Sequence, residues 1–135
     1  MAHAGQELGS DAFRLRLVKT GAETDGELLE MEAAYGGDGV LPPEHLHPNQ
    51  VERFEILEGA VRAIVDGDER RYQAGDVFEV PAGTPHQMAG DGPARMGWQV
   101  RPALRTAEFF ETLLGGTAGE GFLEEFSEEI RFTAP

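Results

Sequence analysis

Between Phe13 and Pro102 the chain repeatedly alternates apolar and polar residues, in short runs broken by Gly, Pro and Asp. A period of two sustained over that length points to an all-β barrel or sandwich. Phe13, Leu15 and Leu17 alternate with Arg14 and Arg16, and Leu29, Met31, Ala33 and Tyr35 share one face with Glu30 and Glu32 on the other, so each segment buries a single face. Residues 52–57 and 61–65 flank Glu58 and Gly59, and Gly67-Asp68 is expected to turn the chain into 69–73, so these segments read as consecutive hairpins. Residues 75–80 run into Pro81-Ala82-Gly83-Thr84-Pro85, where the prolines lack amide donors and end the ladder, and His86 follows at once. In 94–101, Met96, Trp98 and Val100 face one way and Arg95, Gln99 and Arg101 the other.

After Pro102 the period changes. Phe109 with Leu113, Phe110 with Leu114, and then Phe122, Phe126 and Ile130 recur at helical spacing, interrupted by Gly115-Gly116 and Gly119, which predicts two short helices. The 135 residues suit one domain. We read a loose segment over 1–12, a barrel over 13–102, and a helical extension over 103–135 packed on the barrel or on a dimer partner, since about 30 residues cannot bury a core alone.

Composition narrows the chemistry. There is no Cys, the only serines are Ser10 and Ser127 near opposite ends, and the only lysine, Lys19, lies in an edge-like segment. Thiol mechanisms therefore lack a nucleophile, and from such placements serine-triad and Schiff-base mechanisms are not expected. A formal net charge of −14 repels phosphate backbones and anionic membranes, so neither is an expected partner. The acidic residues Glu108, Glu111, Glu120, Glu124, Glu125, Glu128 and Glu129 are expected on a solvated helix face. No apolar run approaches the roughly 20 residues of a membrane span, and residues 1–10 lack a secretion-signal pattern, so a cytoplasmic location is expected.

Three of the four histidines lie where strands meet Pro-containing loops. His45 and His47 are two apart, so an extended segment projects both imidazoles to one face. Glu52 has an odd offset of five from His47 and would point away on an uninterrupted strand, but Pro48-Asn49 supplies a turn that can bring it back. His86, arriving from a separate segment, could complete three nitrogens and one oxygen around an ion. Such a set favours one divalent transition metal over calcium or magnesium, without selecting among Fe, Mn, Ni, Co, Zn and Cu. His3, in the N-terminal segment, reads as a bystander.

The spacing resembles a known family. Gly39, five residues, His45, one residue, His47, four residues, Glu52, six residues and Gly59 are similar to the first motif of the cupins, and Gly75, five residues, Pro81, one residue, Gly83, two residues and His86 to the core of the second. The resemblance covers residues 39–86 and implies a small single-domain cupin: a double-stranded β-helix, or jelly roll, with His45, His47, Glu52 and His86 as metal ligands. One departure is Gly90, where the second motif often ends in asparagine. The resemblance implies a metal-dependent oxidoreductase of dioxygenase type acting on a small neutral or aromatic molecule, with Glu52 taking a direct catalytic part. A metal-dependent isomerase, cyclase or lyase and a non-catalytic binding module stay open. Tyr35, Phe54, Met88, Met96 and Trp98 are candidate substrate contacts, with plain core packing the competing account of each. Glu44 and Gln50 either orient the histidine rings or are exposed loop residues. A homodimer is expected from the general frequency of symmetric pairs.

Overall fold

Apolar side chains at every second position give each strand one face that must leave water, and two such sheets can satisfy each other face to face. The computed structural model describes residues 2–133. The chain runs β1 (Glu7–Gly9), β2 (Phe13–Lys19), α1 (Gly21–Thr24), β3 (Leu29–Tyr35), β4 (His45–Leu46), β5 (Val51–Glu58), β6 (Ala60–Val65), β7 (Asp68–Gln73), β8 (Val77–Val80), β9 (His86–Gly90), β10 (Ala94–Arg101), α2 (Thr106–Leu114), α3 (Phe122–Glu125) and β11 (Arg131–Phe132). One sheet has the order β1-β2-β3-β10-β5-β8 and the other β11-β4-β9-β6-β7, with antiparallel pairing throughout. This mostly-β jelly roll with short C-terminal helices is the fold class the alternation predicts.

The predicted faces point where expected. Leu15, Leu17, Leu29, Met31, Ala33, Val61 and Val100 are fully buried, and the polar residues between them on β2, β3 and β10 look outward. β10 sits between β3 and β5, and its register places Trp98 between Met31 and Phe54 and Val100 between Leu29 and Glu52. No helix among the described residues is long and apolar enough to cross a membrane.

Four expectations change. Residues 1–12 are not simply loose: β1 pairs with β2 through Leu8 and Leu15, and Ala2 joins the core, so the strand carrying Lys19 is not an edge. β5 and β6 do not form a hairpin, because β5 pairs with β10 and β8 while β6 pairs with β9 and β7. The chain changes sheets at Gly59, whose φ of 71° is in the left-handed region and whose absent Cβ would run into Pro93 O. The β6–β7 turn is centred on Asp66-Gly67, one residue earlier than expected, with φ of 52° and 81°; two left-handed residues match the twist of a tight hairpin. Finally, α1 was not expected from apolar periodicity. It is a single turn, held by a capping box in which Thr20 and Glu23 cap each other's backbone amides.

Both expected C-terminal helices form, and they pack on the barrel. Phe109, Phe110, Phe126 and Ile130 enter the core, and Phe110 meets Trp98 edge-on with ring centroids 5.3 Å apart. β11 then adds itself to the second sheet beside β4. The acidic tail is not uniformly solvated: Glu129 is buried, its carboxylate accepting from the Arg105 amide at 3.3 Å.

Gly59→Ala combines a disfavoured φ with a collision against Pro93, so it is expected to lower the free energy of unfolding by about 2–4 kcal/mol. Urea unfolding followed by circular dichroism measures this, with Gly67→Ala, whose Cβ would meet open space, expected to lose less.

Candidate metal centre

The turn at Pro48-Asn49 does more than reverse the chain. It carries the chain from β4 in one sheet to β5 in the other, and that change of sheet lets Glu52 face His47 despite the odd offset. His45 and His86 are direct cross-strand partners on β4 and β9. The three imidazoles cluster, with ring centroids 4.5 Å apart for His45 and His86, 5.1 Å for His45 and His47, and 5.3 Å for His47 and His86. Their ligand atoms lie within 4.8 Å of one another, as a metal ion would require. Glu52 Oε1 stands 2.9 Å from His86 Nε2 and 3.4 Å from His47 Nε2. His47, His86 and Glu52 are buried, whereas His45 is partly exposed and marks the side from which the group is reached.

The hydrogen bonds around the rings determine what faces inward. His45 Nδ1 lies 3.1 Å from Pro43 O, His47 Nδ1 2.8 Å from Glu129 O, and His86 Nδ1 2.9 Å from Thr84 O. A carbonyl only accepts, so each Nδ1 carries a proton and each neutral ring presents a bare Nε2 lone pair. Those lone pairs converge on a carboxylate oxygen, which also only accepts. The His86–Glu52 contact is short but not aligned for a hydrogen bond, and His47 Nε2 and Glu52 Oε1 are buried without a partner among the described residues. Acceptors gathered out of water with no donor between them are costly unless a cation lies there. The donor set of three imidazole nitrogens and one carboxylate oxygen therefore fits a divalent transition metal.

The electrostatics agree. Burial pushes the His45 imidazole down to about 4, helped by His86 and His47, so it is neutral at physiological pH. Burial raises the Glu52 carboxyl, but the neighbouring His47 and the close His86, with a smaller contribution from His45, outweigh that and hold it below the ordinary value. Burial likewise works against charge on His86. The adjacent Glu52 carboxylate, the Thr84 carbonyl and Glu44 overcome it and raise the imidazole above its ordinary value.

The candidate substrate contacts divide. Phe54 is stacked between Phe78 and Trp98, and both Phe54 and Met96 are 1% exposed and belong to the hydrophobic core. Met88 and Trp98 retain some exposure and Tyr35 more. Burial, then the Glu52 carboxylate, pushes the Tyr35 phenol above its ordinary value, so it keeps its proton and remains a donor. The unusual Gly90 packs against this wall: a Cβ there would stand 2.7 Å from both Gly92 O and Tyr35 Cβ, so an asparagine would force the local backbone or β3 to shift.

Two contacts escaped the sequence reading. Trp98 Nε1 donates to Glu52 Oε2 at 2.8 Å, which holds the carboxylate so that Oε1 faces the histidines. The alternation placed Trp98 on the inner face, but only the β10–β5 register brings it to Glu52. Glu129 O, the acceptor for His47, had no local signal at all. Gln50 is buried and donates to Pro102 O, Ala103 O and Thr106 Oγ1, tying the start of β5 to the chain leaving β10. Glu44 receives Thr133 Oγ1 at 2.6 Å. His3 lies outside the group, its ring against Ala4 O.

A family model described as Cupin domain matches residues 31–100. Over 69 residues, 51% of this chain, the sequence is 33% identical to quercetin 2,3-dioxygenase of Bacillus subtilis (strain 168); the chain spans about a fifth of that relative, 20% of its length. Among solved structures, an RmlC-like cupin from Shewanella frigidimarina superposes with a TM-score of 0.64 at 18% identity, covering 76% of this chain and 87% of that one. A variant of a Streptomyces nucleoside dehydratase, solved with uridine, superposes with a TM-score of 0.64 at 13% identity, covering 96% of this chain and 85% of the other. At these identities the structures share the fold.

Trp98→Phe keeps the apolar wall but leaves Glu52 Oε2 buried without its donor, and is expected to cost about 1–3 kcal/mol at neutral pH. Chemical denaturation at neutral and at acid pH checks the cause. Glu52 contributes stability above the ordinary carboxylate pKa and loses it as pH falls through its depressed value, so the difference between variant and parent should shrink in acid.

Proposed function

The chain belongs to the cupin domain family, and on that premise we propose that it is a metal-binding cupin acting on a small neutral or aromatic molecule, with a metal-dependent oxidoreductase of dioxygenase type the favoured reaction. One observation carries the reading: three imidazoles whose Nδ1 atoms meet backbone carbonyls turn their Nε2 atoms toward Glu52, and His47 Nε2 and Glu52 Oε1 are buried without a partner among the described residues. His45, His47, Glu52 and His86 would hold one divalent transition ion. Such an ion would supply Lewis acidity and, if redox-active, an electron-transfer step. The stretch of identity to quercetin 2,3-dioxygenase lends the dioxygenase reading its support.

The chain's own groups define the rest. Trp98 fixes the Glu52 carboxylate, so Oε1 stays aimed at the site and is placed to take a proton from a bound hydroxyl. Tyr35 keeps its phenolic proton and is available to donate to an oxygen of the substrate. Met88 and the indole of Trp98 make the wall apolar, which favours a flat uncharged molecule over a polyanion. A surface of net charge −14 further disfavours nucleic acid and anionic membrane as partners. We propose a homodimer as the assembly, which molecular mass in solution would test.

Purified without chelator, the protein should contain one transition metal per chain by elemental analysis, and His47→Ala should lose it. Protons compete for the site. Against the effect of burial, the close Glu52 carboxylate raises His86, so a proton there competes with a metal ion in mild acid, while burial keeps His45 neutral down to about 4. Apparent metal affinity should therefore fall as the pH is lowered from neutral into the mildly acidic range, which chelator competition across that range measures. Oxygen consumption with flavonoid-like phenols under single-metal loading tests the reaction. Turnover with zinc and no oxygen uptake would move the assignment to an isomerase, cyclase or lyase, and tight ligand binding indifferent to metal removal would leave a binding module.

A further inference from the structure

Two of the three histidines are oriented by their own loops. His45 Nδ1 meets the carbonyl two residues before it, at Pro43, and His86 Nδ1 meets Thr84 in the same way. His47 has no such local partner. Its Nδ1 meets Glu129 O at 2.8 Å, 82 residues further along the chain and buried.

We infer that the C-terminal strap, residues 126–133, is the positioning element of the site, and that the main-chain carbonyl of Glu129 sets the ring orientation and tautomer of His47. The inference rests on the proposed metal centre for its consequence but on the strap's own contacts for its evidence.

The strap grips the histidine segment from both sides. Before His45, Thr133 N donates to Glu44 O at 3.2 Å and Thr133 Oγ1 to Glu44 Oε1. After His47, Asn49 Nδ2 donates to Glu128 O at 3.1 Å and to Glu128 Oε2 at 2.7 Å. Between them β11 pairs with β4, setting Arg131 against Leu46 and Phe132 against His45, whose rings lie 6.1 Å apart. β4 is only two residues long and pairs with β9 at one position, so most of its lateral support comes from the strap.

The strap is itself anchored. Phe126 is buried against Phe109 and Phe122 with the Arg105 guanidinium 4.6 Å over its ring, and Ile130 is buried in the core. A turn between them, with Glu129 N and Ile130 N both donating to Phe126 O, presents the Glu129 carbonyl to His47. A ring held by one hydrogen bond at Nδ1 offers Nε2 in a single direction; a released ring samples both tautomers and several rotamers.

The test uses the full chain with Ile130→Asp, which puts a carboxylate where the strap enters the core, and Asn49→Ala, which removes the two bonds to Glu128 from an exposed position. Amide hydrogen exchange reports strap release at Arg131 and Phe132 and barrel integrity across β2, β3, β5 and β10. In metal-free protein, long-range proton–nitrogen correlation spectra should show His47 protonated at Nδ1 in the parent and a mixture of tautomers in Ile130→Asp. Zinc affinity, by chelator competition, should fall about 10–100-fold in the same variant, and less in Asn49→Ala.

If the strap amides exchange freely while His47 keeps its Nδ1 proton and zinc affinity stays within about twofold of the parent, the inference is overturned. A parent that takes up no zinc while the His47 tautomer still collapses in Ile130→Asp would instead sink the metal reading and leave the strap's positioning role standing. Should Ile130→Asp unfold the barrel, Asn49→Ala carries both readings: a shift toward mixed tautomers supports the role, and an unchanged tautomer with faster exchange at Arg131 rejects it.

Discussion

The interior of this barrel is organised around a set of acceptors with nothing to accept from. Three imidazoles spend their Nδ1 protons on backbone carbonyls, and the Nε2 atoms left over gather beside a carboxylate, with His47 Nε2 and Glu52 Oε1 buried and without a partner among the described residues. Such a grouping is unfavourable by itself, so everything that keeps it together does so against a cost of desolvation. The change of sheet at Pro48-Asn49, the Trp98 bond to Glu52 and the strap across β4 all serve that one end.

Most of the architecture was legible because it depends on local periodicity. Strands β2, β3, β5 and β10 announce their inner faces by alternation, and the two histidines of one extended segment must share a side. What was not legible depends on register or on long-range contact. Gly59 marked a turn, but the sequence does not say that the chain there leaves one sheet for the other. β4 and β11 are two residues each, too short for any periodic signal, and they exist because each supports the other. Glu129 looked like one more charge in an acidic tail, yet what matters there is its backbone carbonyl, which every residue type carries. Phe54 and Met96 lie on the expected face; whether an inner-face residue lines a cavity or fills it is decided by neighbours such as Phe78, which alternation does not rank.

Gly90 illustrates the same division from the other side. As a departure from the spacing motif it carried no explanation in the sequence. In the structure it is the gap into which the Tyr35 ring fits, a compensation between β9 and β3 on facing sheets. A side chain at 90 would meet the Gly92 carbonyl as closely as it meets Tyr35, so both the local backbone and the facing strand leave room there for glycine alone.

The bond from Trp98 to Glu52 has an optical consequence. Trp98 is the only tryptophan in the chain, so all long-wavelength ultraviolet emission from the protein originates from an indole whose N–H is joined to the carboxylate of the site. Any event that draws charge from Glu52, moves it or protonates it alters the field along that indole's polar axis, and an open-shell ion bound beside it would drain its excited state. The molecule carries its own unlabelled reporter of the carboxylate that faces the histidine cluster.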